Sequence, residues 1–278
     1  MRLILTMIAF FTLAQLLGMF TGITILLDMN SNPYVQDLIV TTDAEEPVNA
    51  LYFMAYILVG AAFMILMIRL VKKYEAFFVL MEFMLVSTAS SIVFYAFIRL
   101  LLGMEISTFA AVAMGLAFAL LKTIRPSFKN AAAIFATAGA GVIFGISLGL
   151  LPLIIFLVFL SIYDFLAVFK TKHMVEMANF VVKRELAFTV TARVPTAKPG
   201  EKKRIDLGTG DMIAPIMLEV SAMTFNPVAT LFVFAGAVVS FSIFLALVWK
   251  KKMVLPALPP IVLGMVVFLL AGFVIGAY

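Results

Sequence analysis

The sequence predicts an all-α polytopic membrane protein with nine transmembrane helices, arranged six plus three, and a small β-hairpin before the seventh. Three observations carry that prediction. Of the 278 residues, 64% are hydrophobic and 13% charged, against about 45–50% and about 25% in soluble domains, so the surplus apolar surface needs lipid as its solvent. The apolar residues form nine runs near the length a bilayer requires. The charged residues between those runs alternate in sign from one connection to the next.

The first run, 3–27, follows Met1-Arg2. It is too long for a signal-peptide core and has no small-residue cleavage site, so it reads as a retained helix. The next spans fall at 51–70, 77–102, 106–121, 131–147 and 150–169, and the last three at 208–225, 228–249 and 254–277. The fourth and fifth are short and rich in Ala and Gly, which suits packing inside a bundle better than lipid contact. Residues 1–169 read as a six-helix N-terminal part, 170–207 as a connecting loop and 208–278 as a three-helix C-terminal part.

With nine spans, odd connections carry Asp28, Asp37, Asp43, Glu45, Glu46 and Glu105. Even connections carry Lys72-Lys73, then Lys122, Arg125 and Lys129, then the basic stretch 170–204, then Lys250-Lys251-Lys252. All lysines lie on one side, and all arginines except Arg99. The positive-inside rule then puts the N-terminus in the cytoplasm and the C-terminus outside. The net charge of +5 is explained by those loops, and no nucleic acid is implied.

Cysteine is absent and His173 is the single histidine, which excludes thiolate catalysis, disulfides and Cys- or His-rich metal sites. No cofactor or metal is expected. Four acids fall inside spans: Glu82, Asp164, Asp211 and Glu219. Each is costly in lipid and therefore a functional candidate. Asp164 precedes Lys170 by six residues on a helix running inward, about 9 Å at 1.5 Å per residue. Asp211 follows Arg204 by seven residues on the next helix, at most about 11 Å. The two carboxylates therefore reach a common depth near the cytoplasmic face. Such a pair shares a proton; one member can serve as general base toward water while the other polarises a carbonyl. An interhelical hydrogen bond or a proton relay remains open on the carboxylates alone. Glu82 reads as bundle- or water-bonded, Glu219 as too far along its helix to join the pair, and His173 as interfacial.

The surroundings of the pair are more specific. Tyr163-Asp164, Gly208-Thr209-Gly210-Asp211 and Pro256-Ala257-Leu258 lie in order on the sixth, seventh and ninth spans. They resemble the YD, GxGD and PAL motifs of the presenilin and signal peptide peptidase family of intramembrane aspartyl proteases, here of archaeal or bacterial type. The resemblance implies that Asp164 and Asp211 are catalytic and that Tyr163, Gly208, Gly210, Pro256, Ala257 and Leu258 shape the substrate site. It implies transmembrane helical proteins or peptides as substrates, lipid as surroundings, and leaves a homo-oligomer open. A presenilin-like cytoplasmic N-terminus further implies substrates whose N-terminus is outside.

Physical reasons run beside the motifs. The two glycines are expected to let the seventh helix start irregularly and a substrate strand approach. Pro256, Pro259 and Pro260 remove three amide donors over five residues, so the ninth span should not begin as a regular helix. Residues 188–194 alternate apolar and polar, Pro199-Gly200 supplies a turn, and 204–207 returns, which predicts a hairpin ending at Gly208. Its edge could accept an extended substrate, as the resemblance also implies. The alternative function is a proton- or ion-coupled transporter using the same acids, disfavoured by their off-centre depth and the lack of internal repeats.

Overall fold

The computed structural model describes residues 2–41, 43–70, 75–171, 184–195, 202–251 and 256–278. His173 and the expected turn at Pro199-Gly200 lie outside these residues. Helices α1 (Arg2–Asp28), α2 (Pro33–Gln36), α3 (Val48–Leu70), α4 (Glu75–Arg99), α5 (Met104–Ile124), α6 (Lys129–Ser147) and α7 (Leu150–Leu166) come first. Strands β1 (Thr189–Pro195) and β2 (Lys202–Gly208) follow, then α8 (Thr209–Phe225), α9 (Pro227–Lys251) and α10 (Leu258–Val274).

Among the described residues, seven helices are long and apolar enough to cross a membrane: α1, α3 to α7 and α9. Helices α8 and α10 are each 17 residues, shorter than the expected spans at those positions. Both start later than expected, α8 by one residue and α10 by four, for a local reason. Strand β2 runs to Gly208, so α8 starts only at Thr209. Pro256 and Ala257 stay outside the helix, and α10 starts at Leu258 with prolines in its first turn, where a missing N–H costs nothing.

Helix α8 is the centre of the bundle, packed by α1, α6, α7, α9 and α10. Small residues make that possible. Gly18 and Gly22 of α1 face Ile216 and Val220, while Gly141 and Gly145 of α6 face Ile216 and Met217. A methyl at Gly145 would stand 2.8 Å from the Met217 carbonyl oxygen, so the two backbones meet at a spacing only glycine allows. The pattern repeats between α9 and α10, where Gly236 and Gly264 oppose each other.

The expectation that both Ala- and Gly-rich helices lie inside the bundle holds for α6 and fails for α5. Helix α6 is enclosed by α1, α4 and α8. Helix α5 packs mainly on α4 through one stripe, Ser107, Ala111, Gly115 and Ala119. Phe109, Leu116, Leu120 and Ile124 of α5 are exposed. A four-residue repeat of small side chains seats one neighbour; the large apolar residues between them face outward.

The two ends of the bundle differ. At one end Arg99 pairs with Asp28 at 2.7 Å, and the Tyr95 hydroxyl donates to the same carboxylate at 2.6 Å. There the Val40 amide also donates to Ser147 Oγ, and the Gly149 amide to the Ala44 carbonyl. At the other end Lys129 donates to Thr191 of the hairpin, and Lys122 pairs with Glu82, which accepts the Ala187 amide just before β1. Strands β1 and β2 are antiparallel with Thr191 opposite Asp206 and Thr189 opposite Gly208, so the alternation in 188–194 is a strand as expected. Val190, Ala192 and Leu207 are buried, against α1 and α6.

Candidate active site

Helix α7 carries Asp164 near its C-terminus. The Ala167 amide donates to both the Tyr163 and Asp164 carbonyls, and the chain widens there into a π-helical turn, Ala167–Thr171. Helix α8 carries Asp211 in its first turn, where the helix dipole favours a carboxylate. Pro215, inside α8, has no N–H, so the Asp211 carbonyl lacks its ordinary helical donor. The first turn of α8 is held instead from the hairpin: the Thr209 amide and hydroxyl both donate to the Phe188 carbonyl, at 3.1 and 3.2 Å.

Helices α7, α8 and α10 pack on one another, and the three motif segments meet where they do. Asp164 is buried. Its carboxylate faces the Leu258 backbone amide, and its Oδ2 is buried with no partner among the described residues. Asp211 is partly buried, and its charge interacts with that of Asp164. Tyr163 is partly buried beside them, and Pro256, Ala257 and Leu258 are buried at the start of α10.

The glycines differ from expectation. Gly208 has φ −65 and ψ 141, an ordinary extended conformation, and Gly210 lies within α8. Neither takes a positive φ. What each contributes is room. Among the described residues, a Cβ at Gly210 would meet nothing within 4 Å, and one at Gly208 would meet only Asp211 Oδ2, at 3.5 Å. Neither glycine adds a side chain beside Asp211.

The remaining acids separate from this cluster. Glu82 is buried, pairs with Lys122 and accepts the Ala187 amide, which ties the root of β1 to α4 and α5. Glu219 is fully buried on α8 with both carboxylate oxygens lacking partners among the described residues. Sequence reasoning missed the Leu258 amide, which leaves no compositional trace, and Pro215, which did: a proline four residues after an in-span acid. It also missed Gln15 of α1, whose side chain reaches the Met212 carbonyl at 3.4 Å.

The family described as "Signal-peptide peptidase, presenilin aspartyl protease" matches residues 8–278. The chain belongs to that family and is an intramembrane aspartic endopeptidase. A solved presenilin family intramembrane aspartate protease, in space group C222, superposes with a TM-score of 0.70 at 21% identity, covering 98% of this chain and 99% of that one. A second, in space group P2, gives a TM-score of 0.61 at 26% identity, covering 95% and 97%. The first likeness, at that identity, establishes the shared fold. No curated protein matches the chain. The transporter alternative finds no support in these relatives.

Proposed function

We propose that the protein hydrolyses peptide bonds within transmembrane segments of single-span proteins or signal peptides, with Asp164 and Asp211 as the catalytic pair. The observation that carries this is the mutual packing of α7, α8 and α10, which brings the carboxylates of Asp164 and Asp211 together beside the Leu258 amide. The ionised member takes a proton from water as the water oxygen attacks the scissile carbonyl carbon. The protonated member hydrogen-bonds the carbonyl oxygen, and the tetrahedral diol collapses as the leaving nitrogen is protonated. Tyr163, Gly208, Gly210, Pro256, Ala257 and Leu258 form the walls around the bond.

In this reading α8 and α10 join the seven long helices as the seventh and ninth spans, the hairpin completing the length α8 lacks. The end carrying Lys122, Arg125 and Lys129 faces the cytoplasm, with the N-terminus there and the C-terminus outside. Residues 1–169, 170–207 and 208–278 act as YD-bearing bundle, cytoplasmic connection and GxGD- and PAL-bearing part. A substrate entering with its N-terminus outside is unwound near Asp211.

The hairpin supplies a place for the unwound segment. Strand β2 leads directly into Gly208 and Asp211. Among the described residues, no hydrogen bond occupies its outer edge between Arg204 and Gly208. A strand added there accepts main-chain hydrogen bonds and passes the open space at Gly210.

Cleavage of a single-span reporter by detergent-purified protein tests the reading. Asp164→Asn and Asp211→Asn should each abolish turnover, and the double variant should be no worse. Residual activity well above background in either single variant would falsify the shared pair.

A further inference from the structure

The outer edge of β1 is closed at its middle, at Thr191, by a side chain from another helix. Asn130, in the first turn of α6, uses its carboxamide as a strand would use a peptide group. Its Nδ2 donates to the Thr191 carbonyl at 2.7 Å, and its Oδ1 accepts the Thr191 amide at 2.9 Å. Both main-chain groups of Thr191 are therefore spent away from β2. Antiparallel pairing alternates, so Val190, Ala192 and Val194 make the ladder to Leu207, Ile205 and Lys203. The Thr209 amide bonding to the Phe188 carbonyl continues the same alternation.

The side chains reinforce the contact. Lys129, beside Asn130 and buried, donates to Thr191 Oγ1 at 3.1 Å, and Thr191 Oγ1 donates to Asp206 Oδ1 at 2.6 Å. One chain of hydrogen bonds thus runs from α6 through the middle of β1 to β2, two residues before Gly208. Further along, Pro195 has no N–H to offer on the edge of β1. Strand edges are a hazard unless blocked, and a protease that presents one edge to substrate must keep the other from pairing.

We propose that Asn130 is a positioning residue: it caps the outer edge of β1, anchors the hairpin to α6, and leaves β2 as the edge that receives substrate. The inference rests on the strand-addition reading above and adds to it the residue that selects the edge and fixes the register. A substrate strand that can pair on either edge, or on a hairpin that slides, meets Asp211 with different bonds.

Two measurements test it. The first is hydrogen exchange at single-amide resolution on the full-length protein in detergent, without substrate. The Thr191 amide should be protected, while the outward amides of Arg204 and Asp206 exchange freely. Asn130→Ala should lower Thr191 protection by about 10-fold or more and leave Val190 and Ala192 unchanged. Thr191 exchanging as fast as Arg204 in the unaltered protein overturns the cap.

The second is product mapping by mass spectrometry on a single-span reporter. Asn130→Ala should lower kcat by about 3- to 10-fold and spread cleavage over neighbouring bonds, with binding of a dyad-directed inhibitor retained. Asn130→Asp keeps the acceptor for the Thr191 amide but loses the donor, and should fall between; it carries the test if the alanine variant fails to fold. Unchanged cleavage positions in both variants, with Thr191 deprotected, overturn the positioning role. Arg204→Pro keeps the Asn130 contact and removes an outward donor of β2. Normal products from Arg204→Pro count against strand addition itself, a failure kept apart from that of the cap because Thr191 exchange is read without substrate.

Discussion

The backbone amide of Leu258 faces the carboxylate of Asp164 where α10 packs on α7, beside the candidate dyad. The local sequence makes this amide available. Between Pro256 and Pro260 only Ala257 and Leu258 carry an N–H, and α10 begins at Leu258. Amides in a first helical turn have no partner within the helix and point outward along an axis whose dipole favours negative charge. The PAL segment is thus a main-chain donor aimed at one aspartate, fixed by prolines that allow the backbone little other choice.

Removing that donor should slow chemistry without removing the site. Leu258→Pro removes the N–H but sets proline after Ala257, whose φ of −85 and ψ of −29 a following proline disfavours, so retained binding of a dyad-directed inhibitor is the control that the site stays intact. A hydrogen bond to a charged group contributes about 1.5–3 kcal/mol, so kcat should fall by about 10- to 100-fold. KM should stay within about 2-fold. Wild-type kcat in this variant would leave the amide without a role in turnover.

Two kinds of glycine should separate stability from activity. At Gly145 a new Cβ meets the Met217 carbonyl and the Val220 side chain, both at 2.8 Å. Gly145→Val should cost about 1–3 kcal/mol or more by overpacking and lower the melting temperature. At Gly210 a new Cβ meets nothing among the described residues, so Gly210→Val should leave the melting temperature nearly unchanged and cut kcat/KM. Equal melting temperatures for the two variants would contradict the packing of α6 on α8.

Much of this was legible in the sequence, and the limits have physical causes. Apolar runs located the helices because lipid imposes a length on them, and period-two alternation located β1. The span count was less secure, because α8 is short even where it was expected and Pro256-Ala257 take the place of a helical turn where the chemistry sits. The placement of α5 could not be read from composition, since Ser107, Ala111, Gly115 and Ala119 form one stripe rather than an all-round small surface. Asp164 and Asp211 stood out because charge in lipid is rare. The Leu258 amide and Asn130 did not, because the one is a group that every residue but proline has and the other is an asparagine at an ordinary helix start.

Two carboxylates at the root of the hairpin should behave oppositely. Glu82 is buried with Lys122 and the Ala187 amide, and Glu82→Leu leaves a buried ammonium unpaired, a loss of about 3–5 kcal/mol. Glu185 is half-exposed, and its hydrogen bond from Arg193 holds its carboxyl below its ordinary value. That pair stabilises above the ordinary carboxylate range and is lost as pH falls through the depressed value. Exposed pairs contribute about 0–1 kcal/mol, so Glu185→Gln should change the melting temperature little and flatten a small acid-side dependence. A larger loss at Glu185 than at Glu82 would reverse the assignment.

Membrane orientation can be tested directly because the chain has no cysteine. Asn30 and Ser127 are both exposed and lie at opposite ends of the bundle. In sealed, oriented vesicles, Asn30→Cys should react with an impermeant maleimide from outside and Ser127→Cys only from the cytoplasmic side. Labelling of Asn30→Cys from the cytoplasmic side alone would invert the topology, and with it the expected substrate polarity.

The final prediction uses the parity of the hairpin. Because Thr191 turns its main chain toward Asn130, Asp206 opposite it turns outward, and so does Arg204; Ile205 and Leu207 turn inward to Ala192 and Val190. Proline removes one donor wherever it is placed, and the consequence depends on which way that donor points. Ile205→Pro breaks the ladder, so it should release the hairpin and expose Val190 and Ala192 to hydrogen exchange. Arg204→Pro should leave those amides protected, because the lost donor faced outward and the Arg204–Asp206 pair at 3.3 Å is solvent-exposed. Its effect should appear in cleavage alone: kcat/KM for an unwound transmembrane reporter should fall by about 5- to 10-fold, the cost of one main-chain hydrogen bond to substrate. Leu207→Pro should resemble Ile205→Pro. Activity that falls equally at 204, 205 and 207, with exchange disturbed in all three, would mean the hairpin acts only as a scaffold for α8 and not as an edge for substrate.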